Sequence, residues 1–280
     1  MENENPKVTL LLRTTMGSMG SQLPVGTSGK GSLNKDLQFR EMTTADERAI
    51  ANRTKDDMSM AEQVSIVLAQ MADKMGEYDF TQLKLPDKLL RLSQMYMGDV
   101  LAALIVLRIE SIGKDFDVQF TCQCARGKKG VKTKVDLSTA EVTGAKQEQD
   151  ALWDFPLKKP RNFRGAEVKS LVMGPPRWSV IVDMANGINP RQAELTTMRH
   201  CVRGFNGEKA TLFDMIDGEF DQISRLDLSR LSAEMDEHVI GPHMRMDLEC
   251  PHCSKEHRIG IDWRYRNFFS VSSQSNQSTD

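Results

Sequence analysis

The chain is 280 residues long, enough to bury a substantial core in one large unit or two small ones. Its 37 basic and 39 acidic residues nearly cancel, and a formal charge of −2 excludes the broad positive field that general nucleic-acid binding needs. Five cysteines are too few and too unevenly spaced for a secreted disulfide scaffold, and the longest apolar run, residues 100–107, is far short of the ~20 residues that cross a bilayer.

Residues 8–12 are apolar, but the run is short and follows acidic residues, so no signal peptide is read there and a soluble protein made in the cytoplasm is expected. Residues 14–32, rich in Gly, Ser, Thr and Met, have neither helical nor strand period. They are expected to be flexible, within an extended arm over residues 1–43.

A helical cluster is expected over residues 44–113. Thr44 and Glu47 fit a capping box for a first helix at 45–52, and Ser59 and Glu62 fit a second. Val64, Ile66, Val67, Met71 and Met75 give that second helix a broad apolar face. Pro86 opens a third helix with a stop near Gly98, and Asp99 is placed to cap a fourth over 100–112, ended by Gly113. The fourth is apolar on most sides, which puts it at the centre of the core.

The period then changes to two. Phe116, Val118 and Phe120 alternate up to Cys122, and Val131, Val135 and Leu137 follow Cys124, which makes residues 114–143 a hairpin with cysteines at its tip. Residues 144–189 read as a Pro-containing connector (153–165) and a hairpin of strands 168–173 and 178–184 around Gly174-Pro175-Pro176-Arg177. A second helical lobe is expected over 190–240, with helices at 190–202 and 220–239. Residues 241–269 form a second cysteine hairpin, in which Met244, Met246 and Leu248 lead to Cys250, and Ile259, Ile261 and Trp263 lead away from Cys253. Residues 270–280 are a polar tail. The fold class is α+β.

The two cysteine hairpins share one design: an alternating strand arrives, two cysteines occupy the turn, and another alternating strand leaves toward Asp136 or Asp262. Thiolates of Cys122, Cys124, Cys250 and Cys253 on facing turns make a tetrahedral sulfur cage that suits structural zinc and leaves no position open for catalysis. Cys250-Pro251-His252-Cys253 has the spacing of a zinc knuckle, whereas Cys122-Gln123-Cys124 is tighter than the usual pair. His243, His252 or His257 in place of one cysteine, a disulfide within one pair, and an empty site are the alternatives.

Other candidates are weaker. Cys201 beside His200 does not face it on a helix, so an idle thiol is expected. Gly26 to Ser32 resembles a phosphate loop only superficially, because Gly31 rather than Ser or Thr follows Lys30 and Pro24 takes the earlier glycine position. The clusters Arg126, Lys128, Lys129, Lys132, Lys134 and Lys158, Lys159, Arg161, Arg164 read as solvated surface or as docking sites for an acidic partner. Asp56-Asp57 and the Asp115/Asp117 pair read as caps, turns or surface. No Ser, His and carboxylate set stands out, and an enzyme is not expected.

Four stretches carry a resemblance to a known family. They are Leu23-Pro24-Val25-Gly26 followed by Arg40 to Glu47, then Gly98-Asp99-Val100-Leu101 through Leu107 to Gly113, then the strand into Cys122 and Cys124, and finally Cys250 to Cys253 leading to Asn267-Phe268-Phe269. In this order they resemble the zinc-ribbon baseplate proteins, hub- and wedge-associated, of large contractile-tailed phages. The chain departs from that pattern in its Cys-x-Cys pair and in an enlarged arm before Asp36. The resemblance implies a structural virion component of the tail baseplate without a catalytic centre. Its partners would be the hub, the tube initiator or wedge proteins, with no membrane and no small-molecule substrate. An assembly chaperone absent from the mature particle, or a zinc-ribbon nucleic-acid binder, are the competing expectations.

Overall fold

A computed structural model describes residues 22–29, 32–54, 58–124, 130–184, 189–209, 215–261 and 268–269. The chain is α+β, as expected, with its buried side chains gathered into two large clusters and one small one. We refer to the two large clusters as the main core and the second core.

The main core begins with a hairpin of β1 (Gln22–Gly29) and β2 (Ser32–Phe39). Composition alone predicts flexibility here. Instead Leu23 and Val25 are buried, and β2 continues into a sheet with β3 (Ala72–Met75) and β4 (Tyr78–Asp79). Residues 1–21 and the tail 270–280 lie outside the described residues. Between β2 and β3 run α1 (Thr44–Arg53) and α2 (Met60–Met71). The first capping box falls one residue earlier than expected, on Thr43 and Asp46, because Asp46 also takes the Arg40 guanidinium. The second is on Ser59 and Glu62 as read. The second helix stops at Met71, so Met75 belongs to β3 rather than to the apolar helical face, although it is fully buried in the same core.

Two further helices follow, α3 (Leu85–Gln94), with Pro86 in its first turn, and α4 (Met97–Ser111). Every residue of α4 from Gly98 to Arg108 is buried, so this helix is the axis of the core, each large apolar side chain stabilising it by about 1.5–3 kcal/mol. The fourth helix starts earlier than read, and Asp99 lies inside its first turn rather than capping it. The Met97 N–H is satisfied by the Pro176 carbonyl, which leaves the Asp99 carboxylate available to accept from Val25 N–H at 2.7 Å and Gly26 N–H at 3.1 Å. A buried carboxylate thus ties the β1 backbone to the central helix.

After α4 the chain turns at Gly113, and the buried Arg108 guanidinium donates to the carbonyls of Gly113 and Asp115. This corner aims β5 (Asp115–Phe120) along the core. It pairs in register with β6 (Val131–Asp136) and buries Phe116, Val118 and Phe120 in the main core while the alternate residues face out. A short β7 (Val142–Thr143) follows.

The second core starts with the largest departure from expectation. The segment read as a connector is β8 (Trp153–Phe163), paired with β9 (Ala166–Met173) through a tight turn in which Arg164 and Gly165 both have positive φ, 54° and 80°. Pro156 and Pro160 obscured it. Both are tolerated because β8 is an edge strand, and its register slips between Pro156 and Arg161. The run read as the other strand of that hairpin is α5 (Trp178–Met184). Its β-branched residues favour a strand, but the anchoring of Trp178 prevails. The indole donates to Ser65 Oγ at 2.7 Å and the Trp178 N–H to the Met95 carbonyl at 2.8 Å, fixing the segment against α2 and α3.

Next come α6 (Pro190–His200), β10 (Val202–Phe205), β11 (Glu208–Lys209), α7 (Asp217–Phe220) and α8 (Arg225–Glu237). The residues between the cysteine pairs therefore include a four-stranded sheet, β11-β10-β9-β8, as well as helices. The long helix expected at 220–239 is broken between α7 and α8, where Ser224 caps the second with its side chain on the Asp227 N–H.

The chain returns to the main core through β12 (Gly241–Pro242), paired with β7. Here two backbones touch. A Cβ at Gly98 would collide with the Ile240 carbonyl, and Gly241, with φ 115°, lies against the Gly98 Cα. From this contact start β13 (Arg245–Glu249) and β14 (Glu256–Gly260), paired along their whole length. Phe268 closes the core, its ring centroid 5.4 Å from that of Phe116. Among the described residues no helix is long and apolar enough to cross a membrane.

Candidate metal centre

The tips of the two cysteine hairpins meet. Cys122 Sγ is 3.6 Å from Cys253 Sγ and Cys124 Sγ is 3.8 Å from Cys250 Sγ, although the members of these pairs stand 131 and 126 residues apart in the chain. All four sulfurs lie within 4.8 Å of one another. Four sulfurs bound tetrahedrally at about 2.3 Å from one ion would stand about 3.8 Å apart. The cluster has that spacing and is close enough to hold a metal ion.

Both hairpins are built to deliver the thiols. β5 reaches Cys122 with its buried face in the main core, and the sulfur-bearing turn follows directly. In the second hairpin the turn closes on itself: Cys253 N–H and Ser254 N–H both donate to the Cys250 carbonyl, at 3.3 and 2.8 Å, and Cys250 N–H donates to Lys255 O at 2.9 Å. Ser254 has a φ of 55°, which bends the chain back into β14. Cys122 and Cys250 are buried at 1% exposure, Cys124 is half-buried and Cys253 is exposed, so the cluster sits at the edge of the main core with one thiol facing solvent.

Cys122 and Cys253, the closest sulfur pair across the hairpins, are pushed in opposite directions. The backbone N–H of Cys124 pulls Cys122 down to about 6, helped by the His257 side chain and the neighbouring thiols and opposed by burial. Cys253 moves the other way, to about 11. The Lys255 N–H lowers it, but the Cys122 sulfur, burial and the Cys250 and Cys124 sulfurs together outweigh that donor. Without a cation the cluster therefore accommodates one thiolate and resists the next. A bound divalent ion reverses that resistance, because each thiolate then faces positive charge.

The histidines considered as substitutes stand aside. His257 packs on Phe120 at 5.0 Å and bonds to Cys122 as a neighbour of the cluster. His243 is 3.4 Å from Thr143 Oγ1, and His252 is exposed on the turn. Among the described residues the four cysteines are the group of three or more metal-binding side chains close enough to share an ion.

The remaining candidates resolve as follows. Cys201 is fully buried at the end of α6 and burial pushes its thiol up to about 12, which leaves it unreactive. Lys132 and Lys134 are exposed on β6, in register with Gln119 and Asp117 of β5. Arg126, Lys128, Lys129, Asp262, Trp263, Asn267, Lys30, Gly31 and the Asp56-Asp57 pair lie outside the described residues. Arg164 is clamped by Glu219 at 2.8 Å, whereas Lys158 and Lys159 remain exposed beside it on the β8 edge. Two functional groups were not read from the sequence, the Asp99 tie to β1 and the Arg108 corner. Their partners are backbone groups of distant or irregular segments, which leave no spacing signal.

Comparison with known proteins adds the family. No curated protein and no solved structure matches the chain. A family model described as T4 bacteriophage base plate protein matches residues 22–269, a span that starts at β1 and ends at Phe269, after the second cysteine hairpin. With nearly all of both cores and all four thiols inside that match, the chain belongs to the T4 bacteriophage base plate protein family.

Proposed function

We propose that this chain is a structural subunit of a contractile tail baseplate, at or next to its hub, whose main core is braced by one zinc ion on Cys122, Cys124, Cys250 and Cys253. The observation that carries the reading is the meeting of four thiols from two hairpins more than a hundred residues apart, with a sulfur spacing that fits a tetrahedral ion. Four protein ligands fill such a site. The ion then has no open position for substrate or water, and its role is to join the middle of the chain to its end. A part of this kind acts by shape: it presents fixed surfaces to neighbouring tail proteins. The exposed apolar side chains Leu90, Ile216, Leu226 and Val239 are candidates for such contacts.

Metal analysis of the purified full chain tests the brace, with one zinc per chain expected and less than half an equivalent counting against it. Mass spectrometry of purified virions tests the role. A component of the tail is found in mature particles, and its absence from them would favour an assembly chaperone instead.

A further inference from the structure

The sulfur cluster also places thiols of the two hairpins in reach of each other. Cys122 and Cys253 stand 3.6 Å apart and Cys124 and Cys250 3.8 Å, within a group whose sulfurs all lie within 4.8 Å of one another. Closing 3.6 Å to a disulfide of about 2.05 Å needs a movement of about 0.8 Å by each sulfur. Cys253 is the exposed member and so the first to meet an oxidant.

We infer that this cluster is a brace convertible between two chemistries: metal-bound when reduced, and cross-linked by Cys122–Cys253 and Cys124–Cys250 disulfides once oxidised, with the same two hairpins joined in both states. The oxidant class is a peroxide. The exposed Cys253 thiolate attacks the O–O bond, takes one oxygen to become a sulfenic acid and releases hydroxide. The Cys122 thiolate then attacks the Cys253 sulfur, the S–S bond forms and a second hydroxide leaves. Two protons make these two waters, and two electrons have passed from sulfur to peroxide. A second peroxide converts Cys124 and Cys250 in the same way, and the zinc ion departs with its charge unchanged.

The inference rests on the zinc reading for the reduced state only. Its value to a tail part would lie in its route, because a reducing cytoplasm favours metal thiolates whereas the medium outside a cell favours disulfides. A zinc site whose oxidation closed each turn on itself would release the end of the chain from its middle. This one exchanges one tie for another.

The test uses the full chain, purified without oxygen, with its zinc content measured first. Peroxide is then added while a chromogenic zinc chelator records release, and the product is digested with trypsin under non-reducing conditions. Cleavage leaves Cys122 and Cys124 together in peptide 115–126, and Cys250 and Cys253 together in peptide 246–255. The expected result is one zinc released per chain, the two peptides joined to each other with a loss of four hydrogens, and retention of the folded transition in a thermal melt. Recovery of the peptides as separate, internally closed species would overturn the inference, as would sulfinic or sulfonic products or loss of the melting transition. A Cys124→Ser variant, which should still join the peptides through Cys122–Cys253 and leave Cys250 as the thiol open to alkylation, checks the pairing; alkylation at Cys253 instead would overturn it. If the starting protein holds no zinc, the zinc reading fails by itself, while joined or separate peptides still decide the cross-link.

Discussion

The two large cores solve the same problem with different means. The main core draws on residues from both ends of the described chain and is completed at its edge by four thiols. The second core is built from one continuous stretch, β8 to α8, and two buried acids, Asp227 and Glu219, fasten its elements. Asp227, wholly buried, accepts from Lys158 N–H and Ser224 Oγ and pairs with Arg230, tying α8 to the β8 edge, while Glu219 clamps Arg164 at the hairpin tip. The main core uses a carboxylate tie as well, since Asp99 accepts from Val25 and Gly26 N–H groups 74 and 73 residues away. The difference teaches that hydrogen-bonded carboxylates serve where backbone donors are at hand inside a core, whereas the edge where two hairpin tips meet holds a cluster fit for a metal.

Cys250→Ser should separate the two cores most sharply. Structural zinc contributes on the order of 10 kcal/mol to small domains, so losing one of four ligands should cost the main core on the order of 5 kcal/mol or more. Calorimetry should show the main-core transition falling steeply while a second transition stays in place. A single transition that shifts only slightly would mean the thiols brace nothing. Asp227→Ala is the converse experiment. It leaves the Lys158 N–H without its acceptor and Arg230 without its wholly buried carboxylate, and should destabilise the second core by about 2–4 kcal/mol with zinc content unchanged. Equal effects on both transitions would show that the cores are one cooperative unit.

The smallest effect belongs to Asp99, whose carboxyl burial raises to about 7 against the pull of the Val25 and Gly26 N–H groups. For a carboxyl raised in the folded state, the stabilising contribution is complete below its ordinary value near 4 and is lost as pH rises through about 7. Relative to Asp99→Asn, the native chain should therefore lose about 1 kcal/mol per pH unit between pH 5 and 7. The comparison with the variant cancels the opposite trend from thiol protonation and zinc loss at low pH. Parallel stability curves for the two proteins would place the Asp99 carboxyl outside this account.

Legibility in the sequence followed the same division. The central helix was readable because its apolar run allows no solvent-facing side, and the cysteine hairpins because Phe116, Val118 and Phe120 alternate in plain view. The four thiols were readable as ligands by type, and the shared design of the two hairpins was enough to expect their meeting across 126 and 131 residues. Local preference misled where tertiary contacts outweighed it. Prolines hid β8 because nothing in the sequence marks an edge strand, Val180, Ile181 and Val182 suggested a strand that Trp178 pins as a helix, and Asp99 looked like a cap because its true partners are backbone amides of β1. Thr44 and Glu47 fit a capping box by residue type, yet the box forms one residue earlier on Thr43 and Asp46, where Asp46 also holds Arg40.

The contact of Gly98 with Gly241 also sets the order in which the polypeptide can mature on the ribosome. The central helix emerges early, yet the strand that must cross it, and the second pair of sulfurs beyond, emerge only after the whole β8-to-α8 stretch has been translated. The later stretch can therefore reach its native form first, while the earlier one waits with an open flank for its own C-terminal segment.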